Sequence, residues 1–402
     1  MSRKKLRILV PLSKDFFASS DTAYTGAQHF SKLFLNYFDR SQHTIIGIGL
    51  KPPPLAVGVS CRVVSRKQGQ DWLWLSLLLS TREILNAAAG KPNQETKTII
   101  RRIKEQFIAL QPDLFCLNGQ SALTLLFALA ARDAKIPIVT IHHGIWSIEA
   151  EAHPLLAKRT DLIDLRVAAE AELIRISKKN IFLPQHSGRT FEKQVCRVPA
   201  VKRVVLPLPY NDIFAKKNPN PPPHPSSRKH IGLIARWDPI KNHEAYLALA
   251  REVSRQKLPW TLHAATTPFA AVTALRHLLE PYRAIIRITE HIPPAKLLNF
   301  YRRMDAIVVP SHYETFCGVA MEALLQQIPT LVSPGVGMSD ALRTCGLERW
   351  IISFNSAPAV VKHLQKAFSD AVPKSTREFL LRENASKKIF KQYENIFQTL
   401  VV

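Results

Sequence analysis

Two carboxylates, Glu314 and Glu322, stand eight positions apart in Glu314-Thr-Phe-Cys-Gly-Val-Ala-Met-Glu322, between the apolar run Ala306-Ile-Val-Val-Pro310 and Ala323-Leu-Leu. So short an apolar run reads as a buried strand, and the residues after it read as the opening of a helix. With a helix starting near Gly318, Glu322 lies about one turn inside it and leans towards the N-terminus, so both acids can point the same way. A carboxylate accepts hydrogen bonds from a vicinal diol through both oxygens, at about 1.5 to 3 kcal/mol each. Ribose and hexose hydroxyls are suitable donors. A solvated acid beside an ordinary N-terminal helix acid fits the spacing equally well.

The segment His230-Ile-Gly-Leu-Ile-Ala-Arg236-Trp-Asp-Pro-Ile-Lys241-Asn-His puts two cations five apart in a loop at the end of another strand. Such a pair suits a diphosphate, whose oxygens Arg can hold with two parallel bonds. In a basic chain the plain alternative is a solvated loop. A third strand, Ile138-Val-Thr-Ile-His142-His143-Gly144, ends in histidines, which serve either as hydrogen-bonded structural residues or as groups at a reaction centre.

The elements that would position these groups are an alternation of short apolar runs and helical stretches, the pattern of doubly wound parallel sheets. In the first half, strands are predicted at 6–11, 44–50, 113–117, 136–141 and 181–184, with helices at 26–38, 98–110 and 121–132. After the Pro-rich stretch Lys216-Lys-Asn-Pro-Asn-Pro-Pro-Pro-His-Pro-Ser-Ser-Arg-Lys-His230 the alternation restarts, with strands at 230–235, 261–265, 285–289, 306–310 and 328–333 and helices at 244–254, 271–279 and 295–304. The chain of 402 residues exceeds one hydrophobic core. The expected architecture is α/β: two doubly wound Rossmann-like domains, residues 1–215 and 230–384, joined by a linker at 216–229 and facing one another across a ligand cleft, with a last helix at 385–402 packing back on the first.

Composition narrows the partners. Hydrophobic residues make up 46% and charged residues 21%, which marks a globular chain and excludes a disordered or fibrous one. A net charge of +24 favours an anionic partner, but the basic residues are dispersed and no zinc-finger spacing or RNA-binding aromatic signature accompanies them, so nucleic acid is not expected. Five scattered cysteines without a CxxC pair fit reduced thiols in the cytoplasm, the N-terminus does not read as a signal peptide, and no apolar run reaches the roughly 20 residues of a membrane span.

These segments carry a resemblance. Ile234-Ala-Arg-Trp-Asp-Pro-Ile-Lys-Asn-His and Pro310-Ser-His-Tyr-Glu-Thr-Phe-Cys-Gly-Val-Ala-Met-Glu-Ala resemble the phosphate-binding and E-x7-E segments of retaining glycosyltransferases of the GT-B fold, family 4. Asn299-Phe-Tyr-Arg-Arg-Met-Asp-Ala-Ile-Val-Val and Ser333-Pro-Gly-Val-Gly337 are similar to the helix-strand unit and glycine turn that flank that motif. The resemblance implies that Arg236 and Lys241 hold a nucleotide-sugar donor's diphosphate, Glu322 its ribose hydroxyls, Glu314 a hydroxyl of the transferred sugar, and the backbone of Phe316, Cys317, Gly318 and Val319 its phosphates or sugar. Ile292 falls where the family contacts the base, Gly26 in Tyr24-Thr-Gly26 where the family approaches a phosphate, and His142 where its histidine meets the transferred sugar; His143 is the spare. Glu290, Cys317 and Gln327 stand where the family has Gly, the last two read as local packing changes.

The function implied is metal-independent, cofactor-free transfer of a sugar, with retained configuration, to a glycan or glycolipid acceptor of the cell envelope. No DxD pattern sits at a strand end and no enzyme nucleophile presents itself. Rival readings are a phosphorylase or sugar-nucleotide epimerase on the same fold, and a non-catalytic protein binding anionic lipid or nucleic acid. The stretch Asp71-Trp-Leu-Trp-Leu-Ser-Leu-Leu-Leu79, with Arg66, Lys67 and Arg82 nearby, reads as a helix, either buried in the first domain or lying on an anionic membrane.

Overall fold

The computed structural model describes residues 4–12, 26–40, 43–50, 60–63, 71–76, 79–216, 228–266, 280–290 and 292–401. These fall into two compact units, one made of the residues up to Pro207 together with those from Ser386 on, the other of those between Leu208 and Ala385.

The first unit is built on an eight-stranded sheet. Its strands are β1 (Arg7–Pro11), β2 (Thr44–Leu50), β3 (Ser60–Val63), β4 (Asp71–Ser76), β5 (Leu114–Asn118), β6 (Ile138–His142), β7 (Lys179–Phe182) and β8 (Arg203–Val205), in the order β3-β4-β2-β1-β5-β6-β7-β8. Only β3 runs antiparallel among its pairings. Apolar runs such as Leu114-Phe-Cys-Leu and Ile138-Val-Thr-Ile are buried throughout, as expected where helices cover both faces of a parallel sheet. The helix Gly26–Arg40 and the last helix, Ser386–Leu400, meet through rings: Phe30, Phe34 and Phe38 pack against Phe390, Tyr393 and Phe397. His43 links the last helix to the start of the sheet, its Nδ1 accepting from Leu6 N at 3.0 Å and its Nε2 meeting Glu394 at 3.2 Å.

The second unit holds a wholly parallel sheet of β9 (Lys229–Ile234), β10 (Trp260–Thr266), β11 (Ile286–Glu290), β12 (Ala306–Val309) and β13 (Thr330–Val332), in the order β11-β10-β9-β12-β13. The order reverses between β9 and β12, and the loops that leave these two strands carry Arg236 with Lys241 and Glu314. Crevices at such reversals, beyond the carboxyl ends of the strands, are where open α/β sheets take ligands.

The strands expected between 44 and 50 and from 306 hold to within a residue or two. The expected helix at 271–279 and nearly all of the linker lie outside the described residues. One expectation is overturned. Asp71–Ser76 is strand β4, not a buried or membrane-lying helix, because the stretch alternates and puts Leu73 and Leu75 inward between β2 and β3. No helix among the described residues is long and apolar enough to cross a membrane.

Candidate active site

The turn after β9 is set by its caps. Asp238 opens a short 3-10 turn, Pro239–Lys241, its Oδ1 accepting from Ile240 N at 3.1 Å; Asn242 closes it in a left-handed conformation, φ 51°, and starts helix His243–Arg255. Two bonds sew this turn to the loop after β12. Asn242 Nδ2 donates to Pro310 O at 3.2 Å, and His312 N donates to Ile240 O at 2.8 Å. On the far side Glu314 N donates to Gly335 O at 3.1 Å and Gly337 N to Glu314 O at 2.9 Å. A Cβ on either glycine would lie 2.0 Å from a carbonyl oxygen, that of His312 or of Thr315, so only glycine allows this approach.

Lys241 Nζ then donates directly to Glu314 Oε1, which also accepts from Ser311 Oγ at 3.0 Å. Burial alone would lower the Lys241 ammonium, but the Glu314 carboxylate and its hydrogen bond outweigh this and hold it above its ordinary value. Arg236 is 47% exposed and only 3.7 Å from Asp238, a long contact that leaves the guanidinium able to turn. Glu322, on helix Gly318–Leu325, accepts from Tyr301 Oη at 2.7 Å, and burial pushes its carboxyl up to about 7 against that bond. Burial raises the Cys317 thiol, with smaller effects from Glu314, Lys241 and Glu322, and Arg236 acts weakly on Lys241. Lys241 and Glu314 are thus bonded to one another, Arg236 stands in the same loop as Lys241, and Glu322 lies one turn into the helix that starts at Gly318. Phe316, Cys317, Val319 and Ile292 belong to the hydrophobic cluster under it.

At two of the departures from glycine the backbone keeps the conformation that glycine favours. Cys317 sits at φ 83° and Gln327 at φ 60°, so both positions keep a left-handed conformation without the residue that favours it. Gln327 is exposed. Gln327→Gly is therefore expected to stabilise the protein by roughly 0.5 to 1 kcal/mol, seen as a higher urea midpoint at unchanged slope; an unchanged or lower midpoint would show that the turn is unstrained.

In the first unit the sheet order reverses between β1 and β5, and Gly26 opens helix Gly26–Arg40. At the carboxyl ends of β5 and β6, His142 Nδ1 meets Gln120 Nε2 at 2.7 Å and its Nε2 meets Asn180 Oδ1 at 3.1 Å, while its ring stacks on Phe182. Only 1% of His142 is exposed, and burial brings it down to about 4. It is a neutral, fully engaged imidazole that holds this loop in place. To bond a substrate hydroxyl it would first have to give up Gln120 or Asn180. His143, whose Nε2 meets Asn118 Oδ1 at 2.6 Å, is the more accessible of the two. Tyr301, Ser311 and Asn242 were not singled out by the sequence pattern; Ser311 lies inside the quoted motif, whereas the Tyr301 contact to Glu322 spans 21 positions and leaves no local signal.

Residues 214–388 match the family described as glycosyl transferases, group 1. The GT-B fold extends over the remainder: sucrose-phosphate synthase from Thermosynechococcus elongatus superposes with a TM-score of 0.76 at 14% identity, covering 98% of this chain and 99% of that one. An E. coli structure described as trehalose-6-phosphate bound with UDP-2-fluoro glucose gives 0.67 at 14% identity over 98% and 99%. An α,α-trehalose-phosphate synthase (UDP-forming) from Burkholderia xenovorans, in complex with glucose-6-phosphate, gives 0.68 at 14% identity over 98% and 100%. No curated protein matches the sequence. Arg236, Lys241, Glu314 and Glu322 all fall inside the matched residues.

Proposed function

We propose that the protein is a retaining glycosyltransferase, moving a sugar from a nucleotide-sugar donor to an acceptor hydroxyl without a metal ion. The observation that carries this reading is the Lys241–Glu314 pair, with Arg236 beside it, at the strand-order reversal of the second unit. In the proposed step the C1–O bond to the diphosphate breaks and its electron pair leaves with the phosphate oxygen. The acceptor oxygen bonds C1 on the same face and passes its proton to that phosphate oxygen. Lys241 and Arg236 offset the developing charge, where one well-placed donor is worth about 3 to 4 kcal/mol. Glu314 holds a hydroxyl of the moving sugar and Glu322 the ribose. Backbone N–H groups from Phe316 to Val319, at the start of helix Gly318–Leu325, face the phosphates.

Free thiols at Cys116, Cys196, Cys317 and Cys345 support a reducing compartment, and we place the reaction in the cytoplasm on a glycolipid or polysaccharide precursor. The test is product analysis with labelled sugar nucleotides, with and without lipid-linked and sugar-phosphate acceptors, in EDTA. Transfer with retained configuration, undiminished by EDTA, is expected. Inverted product, full dependence on a divalent ion, phosphorolysis, or a rearranged sugar nucleotide formed without an acceptor would each overturn the assignment.

A further inference from the structure

Glu170, in the first unit, is a buried acid. Strand β6 ends at His142, and a short helix, Trp146–Glu151, begins just beyond it. The first N–H groups of a helix have no partner within it. Ile145, at the cap position, has an apolar side chain, so this helix carries no cap of its own. The acceptors come instead from helix Thr160–Ile176. Glu170 Oε1 accepts from Trp146 N at 2.6 Å, and its Oε2 accepts from Ser147 N at 3.2 Å and from Ser147 Oγ at 2.6 Å. One turn earlier on the same helix, Arg166 donates to Trp146 O at 3.3 Å and lies 4.6 Å from the centre of the Trp146 ring.

The donors explain why this residue is an acid and not an amide. Three N–H and O–H groups converge on Glu170, and only an ionised carboxylate accepts from all of them without turning a donor of its own on one. Burial nonetheless pushes its carboxyl up to about 7 against those bonds. Glu149 of the short helix adds to this rise, Arg166 is the cation beside it, and Cys196 is the neighbouring thiol. Cations on the other helices packed here are paired with its neighbours, Arg132 with Glu172 and Arg82 with Asp161. The loop between β6 and the short helix is therefore fixed at both ends. His142 bonds Gln120 and Asn180 at one end, Glu170 takes the other, and in between a Cβ on Gly144 would stand 2.4 Å from Glu149 Oε1. His143 lies within this loop, at the carboxyl end of a parallel strand, where open α/β sheets take ligands.

We propose that Glu170 is a positioning residue, its carboxylate fixing the loop His142–Ser147 in the geometry that sugar transfer uses. This role presupposes the transfer reaction proposed above. In Glu170→Gln the amide turns a donor towards Trp146 or Ser147, and kcat at saturating substrates should fall by about 100-fold, the scale of a misplacement of about 1 Å, while donor KM and the donor-induced thermal shift stay unchanged. Wild-type kcat should rise with pH through about 7, a step that the variant lacks. Hydrogen exchange at the Trp146 and Ser147 amides should follow the same pattern: relative to the intrinsic rate, protection rises through that window in the wild type and is low at every pH in the variant. Ser147→Ala removes one donor and keeps the acid, so it should retain the step with a smaller loss of kcat; it gives the same answer if Glu170→Gln does not fold. Unchanged exchange at the two amides in Glu170→Gln would overturn the proposal, and so would faster exchange with turnover within about two-fold of wild type. A wild type that transfers no sugar, yet shows this exchange pattern, would overturn the transferase reading and leave the clamp on the loop standing.

Discussion

Lys241→Ala is expected to lower turnover by two to three orders of magnitude. The ammonium is fixed by its bond to Glu314, in the turn that follows β9. Preorganised donors of this kind are worth a factor of about 100 to 1,000 in kcat. The substitution also strips Glu314 of its counter-ion in a largely buried place, and removing one partner of such a pair destabilises by up to about 3 kcal/mol. Activity loss and instability are separated by adding Glu314→Gln: the double variant should regain most of the lost melting temperature and none of the turnover. Arg236→Ala should reduce turnover by orders of magnitude with little change in stability, because its guanidinium is half exposed and only loosely paired. Turnover within a few-fold of wild type in Lys241→Ala would remove the cation from the chemistry.

Glu322→Gln is expected to raise stability while weakening donor binding. Burial lifts the Glu322 carboxyl from 4.5 to about 7, against the bond from Tyr301. A carboxyl raised in the folded state contributes stability that is complete below its ordinary value and is lost as pH rises through about 7. The glutamine variant should therefore match the wild type near pH 4.5 and exceed it at pH 8, measured by urea unfolding across that window. The ionised form is the one that accepts from both ribose hydroxyls. The donor KM of the wild type should accordingly fall as pH rises through about 7, whereas that of Glu322→Gln should be pH-independent and, at pH 8, higher by about ten-fold, the loss of one charged hydrogen bond. A wild-type KM that is flat between pH 6 and 8 would mean that the carboxylate does not meet the donor.

The parts legible in the sequence were those with a local period or a local motif. Buried runs such as Ala306-Ile-Val-Val mark parallel strands by themselves, and the carboxylates of Glu314 and Glu322 bracket a helix start whose position is set by the strand before it. What stayed hidden depended on partners far along the chain. The alternation in Asp71-Trp-Leu-Trp-Leu-Ser is that of a strand, yet the leucines after it extend it into an apolar run long enough to mimic a helix; only pairing with β2 and β3 decides between them. His142 shows the same limit. Its place at a strand end was legible, but the two amides that occupy its nitrogens lie 22 and 38 residues away. Left-handed backbone at Cys317 and Gln327 is likewise invisible where the expected glycine is missing, since the side chain present argues for a different conformation.

The most direct measurement is a thermal-shift titration with UDP, GDP, ADP and CDP on the wild type and on the Arg236→Ala, Lys241→Ala double variant. At a hundred times its dissociation constant a nucleoside diphosphate adds about 2.7 kcal/mol, so at least one should raise the melting temperature of the wild type by several degrees and leave the double variant unmoved. A nucleotide that shifts both proteins equally, or four that shift neither, would contradict a diphosphate site built on Arg236 and Lys241.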